Sequence, residues 1–271
     1  MLGRVDDARA ANRAWWDERV PLHLASRFYD LEGARAGRLA MRRFEVEEVG
    51  DVRGRDLAHL QCHIGTDTLA WALLGARVTG LDFSARAVEA ATALARDLGL
   101  EERARFVCAP VEEARAALEG DFDVVYTSWG AINWLPDLDA WAGVVASLLR
   151  PGGILYLAEG HPLTGVLERR DGALVEAWPY QGGVESVDQT PGSYAAPEAV
   201  TRNDRSHEWA HGLGEVVTAV AGAGLRVEML QERREILYQA LPEMERGEDG
   251  TWTLPGSSLP FSFSLRARLR A

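Results

Sequence analysis

Residues 56–68, DLAHLQCHIGTDT, and 77–84, RVTGLDFS, decide the fold. The first opens as an apolar run (56–61), breaks into a polar turn containing one glycine, and continues into a helical pattern at Leu69, Ala70, Leu73 and Leu74 that stops at Gly75. The second is a short strand (77–81) ending on Asp82, with Ser84 placed to cap the next helix. Val88, Ala91, Leu94, Ala95 and Leu98 then recur at helical spacing and Gly99 closes the run. Strand, helix, strand, helix is the order that builds a parallel sheet covered by helices.

The alternation extends outward from there. A third strand is predicted at 105–108, a short helix at 111–118, and a fourth strand at 122–127, apolar enough to lie mid-sheet. A helix over 138–149 ends at Pro151-Gly152-Gly153, and a fifth strand follows at 154–159. Residues 161–206 lose the periodicity and read as a cap or insertion. A helix near 215–223 and strands at 226–231 and 261–268 complete the chain, with 242–256 as an acidic surface loop. The first 45 residues are amphipathic and helical, anchored by Trp15, Trp16, Phe28 and Tyr29. The expected architecture is α/β, Rossmann-like and doubly wound, with a mostly parallel seven-stranded sheet. Its parts are a helical N-terminal lid (1–45), a ligand-binding core (46–160), a cap (161–206), and a C-terminal helix and strands (207–271) that finish the sheet.

Composition narrows the setting. The 271 residues are 47% hydrophobic and 26% charged, ordinary for a globular chain with a sizeable core. Nothing approaches the roughly 18 apolar residues of a membrane span. The charged start, MLGRVDDARA, lacks a signal peptide's apolar segment, so the expected location is cytoplasmic. A net charge of −12 with scattered arginines argues against a nucleic-acid partner. Cys62 and Cys108 each end an apolar run and are read as small buried thiols, not a disulfide framework.

In an open parallel sheet, ligands bind beyond the carboxyl ends of the strands, where the strand order reverses. Asp82 stands at such a tip, seventeen positions after Gly65, where a carboxylate can accept both hydroxyls of an adenosine ribose. The turn between first strand and helix keeps only Gly65, too few glycines to bring backbone against a pyrophosphate, and the chain has no Walker lysine. That disfavours NAD, FAD and ATP. A nucleoside cofactor without phosphates, S-adenosylmethionine, suits it better.

In order, HLQCHIGTDTL (59–69), VTGLDFS (78–84), FDVVYTSWGAINWLPDL (122–138) and LLRPGGILYLAE (148–159) resemble the successive motifs of class I S-adenosylmethionine-dependent methyltransferases. The chain is most similar to a bacterial branch with an LQCHxGxDTL turn, and AWWDERVPLHLASRFYD (14–30) extends that likeness. The resemblance implies a cofactor turn at Gln61, Cys62, His63, Gly65 and Asp67, a ribose-binding acid at Asp82, and adenine packing on Phe83. It places the adenine edge near Val111 and Glu112, and closure over the methionine part at Ser128 and Trp129. The chain departs from the family at His59, where an acid is usual, at Gln61 and His63, which replace glycines, and at Pro110.

Methyl transfer needs alignment and exclusion of water, and a general base only when the acceptor holds its proton tightly. His161, oriented by Glu159, is the candidate base, and Asn133 a candidate for binding substrate. His207 and His211, four apart, are expected to open a helix and to pack the cap, without a third ligand for a metal. The aromatic side chains of lid and loops suit a closed apolar pocket. The leading expectation is a methyltransferase acting on an O, N or C atom of a small molecule, as a monomer or homodimer. The alternatives are a non-methylating use of the same cofactor, such as cyclisation, and a non-catalytic nucleoside-binding or interaction protein.

Overall fold

The strand–helix alternation closes into one seven-stranded sheet in the computed structural model, which describes residues 2–38, 41–180 and 182–270. Three helices lead: α1 (Leu2–Ala25), α2 (Leu31–Arg35) and α3 (Arg43–Val49). The core follows as β1 (Asp56–Leu60), α4 (Thr66–Leu73), β2 (Arg77–Asp82), α5 (Ala85–Asp97), β3 (Ala104–Cys108), α6 (Ala114–Ala117), β4 (Phe122–Ser128), α7 (Leu138–Leu148) and β5 (Leu149–Gly160). After it come α8 (Leu163–Val166), the hairpin β6 (Leu167–Arg170) and β7 (Ala173–Glu176), and the paired strands β8 (Val184–Asp188) and β9 (Ser206–Ala210). The remainder is α9 (Leu213–Gly222), β10 (Leu225–Arg233), the two-residue strands β11 (Glu245–Arg246) and β12 (Trp252–Thr253), and β13 (Ser262–Leu269).

The sheet order is β10-β13-β5-β4-β1-β2-β3. Strands β1 to β5 are parallel, and β13 runs antiparallel to both β5 and β10. The chain steps outward from β1 to β3 and then returns to lay β4 on the other side of β1. The order therefore reverses between β1 and β4, and a crevice must open there beyond the strand tips. Leu57 to Leu60 are buried on both faces of the sheet. One face is covered by a cluster including Trp141, Val145 and Val216, the other by one including Leu69, Trp71 and Leu94.

Four local expectations are corrected. The fifth strand starts at Leu149 rather than 154, because Phe122 pairs with Leu149 and Val124 with Ile154, leaving Pro151-Gly152-Gly153 as a bulge inside it. A Cβ on Gly153 would lie 2.9 Å from the carbonyls of Arg150 and Phe122. Arg150 donates to Asp123 at 3.0 Å and Asp56 at 3.1 Å, so the RPGG motif ties down the sheet edge remote from the crevice. His207 lies on β9, not on a helix: residues four apart share a face in either structure, and β8 supplies a strand partner. Segment 242–256 is not only surface, since Met244 and Leu254 join Ile236, Leu241 and Phe261 in a third small core. Cys62 is buried, but Cys108, at the tip of β3, is exposed.

The early and late parts of the chain are clasped together. Asn12 accepts from the His207 amide at 2.7 Å and donates to the His207 carbonyl at 2.8 Å, joining α1 to β9. The wholly buried Arg19 donates to the carbonyls of Trp15 (3.0 Å), Gly192 (2.8 Å) and Asn203 (2.9 Å) while its guanidinium lies 3.6 Å from the Trp15 ring. Truncating it strips three carbonyls of their donor in a site water does not reach. Arg19→Met is expected to cost about 3 kcal/mol of stability in urea denaturation, near the cost of breaking a buried charged network. A change within about 0.5 kcal/mol, the scale of an ordinary surface substitution, would show that the clasp does not hold the lid.

Candidate functional site

The turn between β1 and α4 is left-handed at three positions: φ is 56° at Gln61, 48° at His63 and 77° at Gly65. Residues with a Cβ hold such angles at a cost of order 1 kcal/mol each. Gly65 has no substitute, because a Cβ there would sit 2.8 Å from Ala91 Cβ and from the Phe106 ring. At the other two positions hydrogen bonds offset the cost. The His63 amide donates to Asp82 Oδ2 at 2.8 Å, and Gln61 Nε2 donates to the Ala131 carbonyl at 2.9 Å. Since Nε2 must face that carbonyl, the Gln61 Oε1 acceptor is the other atom, and it is buried without a partner among the described residues.

Asp82 ends β2 and is almost wholly buried. Its Oδ1 accepts from the Ser84 amide at 2.8 Å, while the Ser84 hydroxyl caps α5 at the Ala87 amide. Burial pushes the carboxyl up to about 6, with the Ser84 and His63 amides pulling the other way. Asp82, Phe83, Val111 and Glu112 line a narrow cavity of about 90 Å³ together with Arg9 and Trp16 of α1. Arg9 bridges to Glu112 at 3.0 Å across its rim.

A second, larger cavity of about 940 Å³ adjoins it, and Trp16, Gln61, His63, Ser128, Gly130 and Trp134 form walls of both. Cys62, Asp67 and Trp129 line the larger space. Ser128 donates to Asp67 Oδ2 at 3.1 Å, and buried His59 meets Thr68 Oγ1 through Nδ1 at 2.8 Å. Desolvation lowers His59 to about 3, so it is neutral where the family's acid would be charged. Asp67, on the first turn of α4, brings a carboxylate to the same crevice.

The expected pairing of Glu159 with His161 is not formed. The Glu159 carboxylate accepts the amides of Gly130, Ala131 (2.8 Å), Ile132 (3.2 Å) and Gly160 (2.9 Å), so it shapes the loop after β4. His161 accepts the Leu163 amide on Nδ1 at 3.2 Å and meets Glu232 through Nε2 at 3.0 Å. Both ring nitrogens are engaged, and the ring lines neither cavity. Asn133 does line the larger one, with Nδ2 donating to Glu208 of β9 at 2.7 Å. His207 on β9 and His211 just after it part company: His207 Nδ1 meets Glu185 at 2.6 Å, and His211 Nε2 meets the Leu135 carbonyl at 2.7 Å.

Sequence reasoning missed two groups. His23 of α1 stands 2.7 Å from His63 Nε2 and 3.1 Å from Ser193 Oγ, and Glu208 reaches in from β9. Both come from outside the parallel core, on α1 and β9. A histidine in the 14–30 motif and the alternating Ser206–Ala210 stretch were the available signals, but neither says which wall it joins.

The fold is that of S-adenosylmethionine-dependent methyltransferases. Solved structures of such enzymes from Listeria monocytogenes and Mesorhizobium loti superpose with TM-scores of 0.61 and 0.59. They are 15% and 19% identical in sequence; the match covers 89% and 88% of this chain and 99% of each of theirs. Residues 58–153 match the methyltransferase domain family. Ubiquinone biosynthesis O-methyltransferase of Bordetella avium is 28% identical over 160 residues, 57% of this chain and 59% of its own length. The Psychrobacter arcticus protein of the same name is 31% identical over 127 residues, 47% and 49% of the two lengths. The chain thus spans between about half and three fifths of the curated relatives it matches.

One buried carboxyl behind the loop gives a pH test. Glu45 of α3 accepts from Tyr126 Oη, from Trp129 Nε1 at 3.3 Å and from the Arg42 amide at 2.9 Å. Burial raises it from 4.5 to about 7. The folded protein therefore holds a proton that the unfolded chain has released between those values, and this contribution to stability is lost as pH rises through the window. Glu45→Gln carries no such proton. Its stability relative to wild type should rise by about 3 kcal/mol between about pH 4.5 and about pH 8 in urea titrations. Parallel pH profiles for the two proteins would contradict the buried, proton-holding Glu45.

Proposed function

We propose that the chain is a class I S-adenosylmethionine-dependent methyltransferase acting on a small molecule, of the bacterial branch with the LQCHxGxDTL turn. The observation that carries the reading is the Asp82 carboxylate at the β2 tip, fixed by two backbone amides beside the left-handed 61–65 turn at the point of strand-order reversal.

The residues fit this cofactor and not a dinucleotide. Side chains at Gln61 and His63 stand where a pyrophosphate would need bare backbone, while Asp82 retains lone pairs for ribose hydroxyls. Phe83 and Val111 offer apolar surface to a planar base, and Glu112 an acceptor at its edge. The partnerless Gln61 Oε1 and the Asp67 carboxylate provide acceptors for an ammonium group, with Cys62 and Gly65 shaping the turn. Ser128 and Trp129 close over the adjoining segment. When bound, S-adenosylmethionine supplies an electrophilic methyl group on a sulfonium sulfur.

In this reading residues 46–160 hold the cofactor, while 1–45 and 161–206 act as lid and cap that exclude water and align the acceptor. Residues 207–271 complete the sheet. The ubiquinone O-methyltransferase relatives support oxygen as acceptor atom, and the net charge of −12 supports a small-molecule partner over nucleic acid. The reading places the protein in the cytoplasm as a monomer or homodimer.

Calorimetric titration tests it. S-adenosylmethionine is expected to bind with micromolar affinity and NAD not at all, and Asp82→Ala to weaken the former by about tenfold or more through lost charge-assisted bonds. Absence of S-adenosylmethionine binding, or an unchanged affinity in Asp82→Ala, would overturn the assignment.

A further inference from the structure

Asn133 carries an unusual debt. Its Nδ2 is committed to the Glu208 carboxylate, which can only accept in its ionised form, so the amide orientation is fixed by that bond. Oδ1 is then buried and has no partner among the described residues. Glu208 lines the same cavity, and its Oε1 has no hydrogen-bond partner among the described residues. Asn133 and Glu208 thus stand side by side on one wall of that space, and a buried acceptor left unmatched costs about 1–3 kcal/mol. Asp188 and Asp67 line that space as well. Of the four arginines that line it, Arg38 bonds to Asp30, and Arg42 and Arg246 to the carbonyls of Asp249 and Gly250, while Arg27 also lines the space. None is hydrogen-bonded to Glu208 among the described residues. The walls are aromatic, with Trp16, Tyr29, Trp129, Trp134, Tyr194 and Tyr238 all contributing.

Resting on the methyltransferase reading, we propose that Asn133 and Glu208 form the acceptor subsite, which takes a planar aromatic molecule through a donor group, O–H or N–H. The donor hydrogen-bonds to Glu208 Oε1. Glu208 is the proton acceptor of the reaction, and Asn133 positions its carboxylate. As the acceptor's O–H or N–H bond breaks, its proton passes to Glu208. The freed electron pair forms the new bond to the methyl carbon, whose bond to sulfur breaks with that pair staying on sulfur. Burial and nearby Asp188 raise the Glu208 carboxyl above the ordinary range, which makes it a better base than an exposed carboxylate. The subsite selects against anions, because Glu208, Asp188 and Asp67 repel them.

The test uses the full chain saturated with S-adenosylhomocysteine and three probes: catechol, benzylamine and 1,2-dimethoxybenzene, which has the ring without the donor. Catechol or benzylamine is expected to bind at least about tenfold more tightly than the dimethoxy compound, and the pair of affinities tells an oxygen acceptor from a nitrogen one. Glu208→Gln should abolish that preference while leaving S-adenosylhomocysteine affinity within about twofold, and Glu208→Asp should restore part of it. Asn133→Ala, read the same way, serves if Glu208→Gln fails to fold. Equal affinity of wild type for all three probes, or a preference that survives both substitutions, overturns the subsite. Failure of wild type to bind S-adenosylhomocysteine would instead overturn the methyltransferase reading beneath it.

Discussion

The site depends on one carboxylate placed between two strand ends. Asp82 takes the amide of His63 on one oxygen and that of Ser84 on the other, so the turn after β1 and the start of α5 are held against the tip of β2. Without that bridge the left-handed angles at Gln61 and His63 have only their own side chains to sustain them. The loop after β4 is held in the same manner from the other side, by Glu159 gathering four amides. Both walls of the crevice are backbone folded around a buried acid, and in each case burial raises the carboxyl above its ordinary range while the amides draw it down. The crevice is therefore preorganised and need not wait for a ligand to shape it.

The core was legible because its signals are local. Apolar runs bounded by Gly75, Gly99 and Gly152 mark β1 to β5 to within a few residues, and the Ser84 cap is where the spacing puts it. The β2 tip at Asp82 could be read for the same reason: a strand tip is defined by its own sequence. His161 could not be, because its role depends on which neighbour engages its ring nitrogens, and Glu232 lies on β10, in a strand pair no local pattern announces.

The cap was illegible for a related physical reason. Ser206–Ala210 has a spacing that satisfies a helix face and a strand face alike, and the choice is made by β8 and by Asn12, far away in the chain. The same holds for His63: its side chain at a glycine position looked like a loss to the cofactor turn. In the fold it reaches His23 of α1, so the substitution ties lid to turn.

The clasp between α1 and the 192–207 segment also bears on how such a chain can be recombined. Arg19 commits its donors to the carbonyls of Trp15, Gly192 and Asn203 and pairs with Asp204 at 3.7 Å, while Asn12 reads the backbone of His207. The two segments lie on either side of the parallel core in sequence, β1 to β5 falling between them. A core that holds a nucleoside can be exchanged as a cassette, but the lid and the cap are inherited as a pair. A chimaera that replaces one of them leaves a buried cation or a set of bare carbonyls behind. New acceptor preferences in this architecture should therefore arise by matched change in the segments before and after the parallel core.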